Sequence, residues 1–386
     1  MHVSPANITD PTKGTVIAEA QSHLPSRFPS LDGWRALSIL MVMGEHSIFT
    51  FGCPAGAEKF LDTYFDGGLG VRFFFIISGF LITYLLLKEH AQTGKISLRK
   101  FYARRALRIL PVYYVYLAVV FALQLCTPYS QPGITWAANL TFTTNYVPTN
   151  WTTGHLWSLA VEEQFYLLWP LALSFAGPQN LRRVLSLLCV PIIVAPICRA
   201  IAHARVAPAS LKPFFQSYSF LNQFDSLAVG CLAAVLFVQY HDKIFALLTR
   251  FSRTNLLTGV ALVIVPQVLG RSWVAVYVPE ALTETLVNTF QAFGFALLLM
   301  QSVMVPRLFG PLNWAIVSKI GVLSYSIYIW QMLFSNNPAR FGLSYPWFMS
   351  FRFWWLAVLL VAMCSYYFLE KPMMGLRRHF RPQPPE

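Results

Sequence analysis

Apolar residues fall in ten long blocks separated by short polar or basic stretches: 36–50, 68–87, 109–126, 156–176, 184–200, 218–239, 254–270, 286–305, 319–335 and 351–369. A helix needs about 20 apolar residues to cross a bilayer's hydrocarbon. Most blocks reach that length, the first is short, and the tenth opens beside Arg352. The pattern predicts an all-α polytopic integral membrane protein, a bundle of about ten transmembrane helices. Pro191, Pro196 and Pro266 lie inside blocks, where membrane bundles tolerate kinks. The polar stretch 127–155 reads as the longest outer loop. Residues 1–30 read as a polar, disordered cytoplasmic tail, without the basic start and short apolar core of a signal peptide. Residues 31–372 form one transmembrane domain, followed by a short basic cytoplasmic tail, 373–386.

Composition agrees with this reading. Hydrophobic residues make up 56% of the 386 and charged residues 12%, against about 25% charged in soluble domains. A large soluble protein is thereby excluded. The net charge of +13 raises the question of nucleic acid, and its distribution answers it. With the N-terminus in the cytoplasm, nineteen Lys and Arg fall in cytoplasmic segments, seven of them in 88–108, and five fall on the opposite side. The excess is therefore the inside bias of a membrane protein, and no nucleic-acid partner is implied. Cys53, Cys126, Cys189, Cys198, Cys231 and Cys364 form no CxxC pair or Cys/His cluster, so neither a disulfide scaffold nor a metal site is indicated.

Several ionisable residues interrupt the apolar blocks, where they usually face a protein interior or a polar cavity. Arg35 and His46 are eleven residues apart, within about 20° of three full helical turns, so they share a face roughly 16 Å apart along the axis. The charge count puts Arg35 toward the cytoplasm and His46 toward the outside. Arg35 alone could be a headgroup anchor, and His46 alone a structural histidine; the shared face favours one cavity. Glu45 points about 100° away. In the second block Arg72 lies near the outer end, and Ser78-Gly79 offers a small-residue packing face. Arg104, Arg105 and Arg108 precede the third block, and such a cluster either brackets phosphate oxygens or anchors in lipid headgroups. The fourth block opens with His155, Trp157, Glu162, Glu163 and Tyr166. Glu162 shares a face with Tyr166, and with His155 if the helix begins there. A carboxylate near His46 would orient its imidazole and strengthen it as a base; alternatively, one glutamate pairs with Arg72 or Arg35. Asp225 is a cavity or structural carboxylate. Tyr325, Tyr328 and Gln331 share a face, and Glu370 closes the last helix, where it could meet an inside arginine.

Together these residues resemble the bacterial membrane acyltransferase-3 family over about 31–378. The resemblance rests on Arg35 and His46 with ten residues between them, on GGLGVRFFFIISGFLI with Arg72, Ser78 and Gly79, and on Arg105 and Arg108. It also rests on HLWSLAVEEQFYL, with His155, Trp157, Ser158, Glu162, Glu163 and Tyr166, on SYSIY with Ser324, Tyr325 and Tyr328, and on Glu370-Lys371-Pro372. One departure is Gln331, where many members carry a histidine. The resemblance implies an acyl-CoA-dependent O-acyltransferase of the bacterial cytoplasmic (inner) membrane, with both termini in the cytoplasm. It would move an acyl group, most often acetyl, to a hydroxyl of a carbohydrate or glycan on the outer side. The roles it implies are catalytic for His46, Glu162, Glu163 and Arg35, and donor binding for Arg35, Arg104, Arg105 and Arg108. Arg72, Ser78, His155, Tyr166, Asp225, Tyr328 and Gln331 would support substrate or structure. No permanently bound cofactor or metal is expected; the partners are acyl-CoA, the acceptor, membrane lipids, and either a homo-oligomer or a separate glycan-assembly protein. Larger relatives append an esterase-like domain, and this chain's length is expected to leave no room for one. The competing readings are a transporter or flippase, acylation of a small secondary metabolite, and a non-catalytic scaffold.

Overall fold

A computed structural model describes residues 28–204, 218–271, 280–344 and 346–380. The tail expected over 1–30 lies outside them except for its last residues, as does the end of the basic tail.

Among the described residues, the helices that carry the fold are α1 (Pro29–His46), α2 (Gly67–Thr93), α3 (Leu98–Cys126), α4 (Leu156–Ala176), α5 (Leu181–His203), α6 (Phe220–Gln239), α7 (His241–Arg250), α8 (Ser252–Arg271), α9 (Glu280–Met304), α10 (Ala315–Phe334) and α11 (Trp354–Ser365). The protein is an all-α polytopic membrane protein. Among the described residues, seven helices are long and apolar enough to cross a membrane, or eight if α7 and α8, bent by 91°, count as one crossing. The ten predicted blocks differ from this by α1 and α4. Both are helical, but α1 carries Asp32, Arg35 and Glu45, and α4 carries Glu162, Glu163 and Gln164. Polar content sets these two apart from the other long helices.

α2 lies at the centre, packed against α1, α6 and α9, while α10 packs on α1 and α11. The α2–α6 crossing needs glycine on both sides. A Cβ on Gly79 would collide with the Leu227 carbonyl, and one on Gly230 with the Ile76 carbonyl. The backbones touch at that point, as small residues allow between membrane helices. Overpacking usually costs about 1–3 kcal/mol, and rigid backbone cannot repack. Gly230→Val is therefore expected to lower the yield of monodisperse protein in detergent sharply, whereas Ala233→Val, elsewhere on α6, should lower it far less.

The stretch 127–155 is more ordered than a plain outer loop. It holds the short helices Gly133–Leu140 and Trp151–Gly154. Tyr129 donates to Gln131 (3.1 Å), Thr153 donates to Gln131 (2.8 Å), and Thr144 donates to Asn139 (3.0 Å). These side chains take up polar groups that would otherwise be buried unpaired. Nearby, Phe351 N–H donates to the Phe51 carbonyl (2.8 Å), tying the segment after α1 to the one before α11.

Candidate active site

α1 sets the axis of the site, with Arg35 on its second turn and His46 as its last residue. At the Arg35 end, α1, α2, α3, α4 and α10 enclose a cavity. Its polar wall is Arg35, Arg105, Arg108, Ser78, Glu162 and Tyr166, and Phe74, Leu81 and Tyr328 are among its other lining residues. The free volume is about 80 Å³; a single water needs about 10–15 Å³, so there is room for several waters or a small acyl group.

Three guanidinium groups thus converge in a largely apolar bundle. Asp32 accepts from Arg35 at 3.2 Å. Arg105 lies over the Tyr166 ring, 5.0 Å from its centroid, a cation–π placement. Glu162 accepts from both Ser78 and Tyr166 hydroxyls. Positive groups outnumber carboxylates in the cavity, so it is matched to an anion. Arg104 is not brought there. It donates to Glu89 (2.7 Å) and to the Phe380 carbonyl (2.7 Å), and Glu89 also accepts from Ser97 N–H at 3.0 Å, ahead of α3.

At the other end of α1, His46 Nδ1 lies 3.2 Å from Gln331 Oε1 on α10, and its ring meets Trp151 edge-on, centroids 5.4 Å apart. Trp151 is itself anchored by donating to the Ser335 carbonyl (2.5 Å). Glu45 accepts from Gly67 N–H (3.0 Å), so it serves the N-terminus of α2. His155 lies at the start of α4, where its Nε2 donates to the Ile329 carbonyl at 3.0 Å. The Tyr328 and Ser158 hydroxyls are 2.6 Å apart, and Tyr328 donates to the His155 carbonyl (2.9 Å).

The expected partnership between His46 and a glutamate is not formed: neither glutamate makes a hydrogen bond with the imidazole. The reason is depth along α4. His155 stands level with Ile329, near the His46 end, and Glu162 is seven residues, roughly 10 Å, further in. Glu162 belongs instead to the arginine cavity. Glu163 has a buried carboxylate oxygen with no hydrogen-bond partner among the described residues. Among the described residues, the alternative ion pair of a glutamate with Arg72 or Arg35 is absent as well. Arg72 donates to Gln291, which donates to Gln267 (3.1 Å), which in turn donates to Asp66. This chain links α2, α8 and α9 away from the cavity. Asp225 is a structural carboxylate: Arg199 donates to it at 2.8 Å and Thr289 at 2.6 Å. Glu370 accepts from Ser326 (2.9 Å), and Tyr325 donates to the Ile109 carbonyl (2.6 Å).

Among the partners that sequence reasoning missed are Gln291 for Arg72 and Arg199 for Asp225. Neither pair has a local spacing signal, since they are separated by 219 and 26 residues. Asp32, the partner of Arg35, was missed too, although its place three residues earlier on the same helix is a spacing signal that could have found it.

A family model described as an acyltransferase domain matches residues 28–371. The peptidoglycan O-acetyltransferase OatA of Listeria monocytogenes is 27% identical over 326 residues, covering 78% of this chain and 48% of that protein. The O-acetyltransferase OatA of Staphylococcus aureus is 33% identical over 170 residues, 40% of this chain and 26% of that protein. The putative peptidoglycan O-acetyltransferase YrhL of Bacillus subtilis is 25% identical over 383 residues, 89% of this chain and 54% of that protein. The chain thus spans about half the length of these curated relatives, or less. No solved structure matches it.

Proposed function

Because the chain belongs to the acyltransferase family that matches residues 28–371, we propose that it is a membrane O-acyltransferase. It moves an acyl group, acetyl first, from cytoplasmic acyl-CoA to a hydroxyl of a carbohydrate or glycan outside the bacterial cytoplasmic membrane. In this reading α1 and α4 also cross the bilayer, giving ten crossings with both ends of the chain in the cytoplasm, and residues 31–372 are the working unit. The observation that carries it is the layout of α1, with a basic cavity around Arg35 at one end and His46 held against Gln331 at the other.

Arg105 and Arg108 bind the donor's phosphates, and Arg35 positions the donor as its pantetheine arm runs along α1 toward His46. Arg104 stays with Glu89. His46 takes the proton of the acceptor hydroxyl, whose oxygen then attacks the thioester carbonyl. The carbon–sulfur bond breaks, and the proton leaves with the CoA thiol. Glu162, hydrogen-bonded by Ser78 and Tyr166, maintains the cavity's polar wall.

The test uses the full chain in sealed proteoliposomes, with acetyl-labelled CoA on the Arg35 side and glycan oligomers on the other. Label is expected on the glycan together with release of free CoA. Movement of an unmodified glycolipid without use of acetyl-CoA would overturn the reading in favour of a transporter.

A further inference from the structure

The residue against His46 is a neutral amide rather than a carboxylate. Gln331 has no exposed surface, and its carbonyl oxygen lies 3.2 Å from His46 Nδ1. Its amide nitrogen has no partner among the described residues. Glu45, next to His46 in sequence, and His155, at the start of α4, are both engaged elsewhere. Glu45 accepts from Gly67 N–H, and His155 donates to the Ile329 carbonyl. An amide oxygen can only accept, so this contact requires the proton on Nδ1 and leaves the Nε2 lone pair free. Fixing one ring nitrogen sets the role of the other.

We propose that Gln331 is a positioning residue that holds His46 in the Nδ1–H tautomer, so that Nε2 is the atom that receives the acceptor's proton. The proposal rests on the reading of His46 as the base. It assigns Gln331 a task that a packing glutamine would not have, and one that a histidine at this position would share only in one of its own tautomers.

Two replacements separate this role from packing. Gln331→Leu fills the space without an acceptor. It is expected to lower kcat by about 10–100-fold, the scale seen when the outer partner that orients a metal-ligating histidine is lost, with little change in KM for donor or acceptor. Gln331→Glu keeps an acceptor and adds charge. It should retain turnover at high pH, while the acidic limb of its pH–rate profile moves to higher pH, because a carboxylate stabilises the imidazolium and the neutral base is lost earlier on acidification. In protein labelled with ¹⁵N-histidine, the His46 ring should be the Nδ1–H tautomer in the unmodified chain and a mixture in Gln331→Leu. If Gln331→Glu is as inactive as Gln331→Leu while both elute as monodisperse protein, Gln331 does not act as an acceptor and the proposal fails. It also fails if Gln331→Leu keeps full kcat. A fully active His46→Ala would instead remove the reading beneath it, so the two failures are distinguishable.

Discussion

His46→Ala is expected to lower acyl transfer by about 10²–10⁴-fold, the range that a positioned general base supplies. The size follows from how few alternatives the site offers. Glu45 is tied to Gly67 N–H at the start of α2, and Glu162 is deeper in the bundle, held by Ser78 and Tyr166. His155 is buried, with its Nε2 donated to a backbone carbonyl. None of these is placed to take over the proton. The fold should tolerate the change, because His46 is the last residue of α1 and only half-buried. The measurement is label transfer from acetyl-CoA to the glycan, beside a detergent elution profile that stays unchanged. Added imidazole should restore part of the rate by entering the space beside Trp151. Full activity in the variant would take the base away from His46.

How much of this was legible beforehand depends on the range of each signal. Local periodicity fixed the spacing of Arg35 and His46 and the joint placement of Glu162 and Tyr166, because both pairs lie on single helices. It also identified α1 and α4 as helices, although their polar residues keep them below the apolarity of the seven or eight helices able to cross a membrane. Side chains that meet across helices were not legible. His46 and Gln331 are 285 residues apart, and no spacing rule reaches that far. Depth was misjudged for the same reason: the glutamates and His155 sit on adjacent stretches of chain, and only packing of α4 against α10 shows which of them is level with His46. The arginine cluster was legible as a group, but its division was not. Arg104 stands next to Arg105 in sequence, yet about 100° of helix rotation sends one to Glu89 and the other into the cavity.

That division yields the second large effect. Replacing Arg105 and Arg108 together by Ala is expected to raise KM for acetyl-CoA by about 10²-fold or more, since each charge-assisted hydrogen bond contributes about 1.5–3 kcal/mol. Both guanidinium groups line the cavity with Arg35, and the carboxylate on its wall, Glu162, already accepts two hydroxyl hydrogen bonds. With Asp32 on Arg35 and Glu162 on the wall, the lining still holds more guanidinium groups than carboxylates, so a ligand that brings negative charge gains from it. The loss should depend on that charge. With S-acetylpantetheine, which has the thioester arm but no phosphates, the double variant and the unmodified chain should differ little in KM. Arg104→Ala removes the ion pair with buried Glu89 and should lower thermal stability in detergent, with KM for acetyl-CoA nearly unchanged. An equal rise in KM for both donors would mean that the arginines shape the cavity rather than bind phosphate. The donor's anionic end would then have to be sought among other basic residues at the Arg35 end of the bundle.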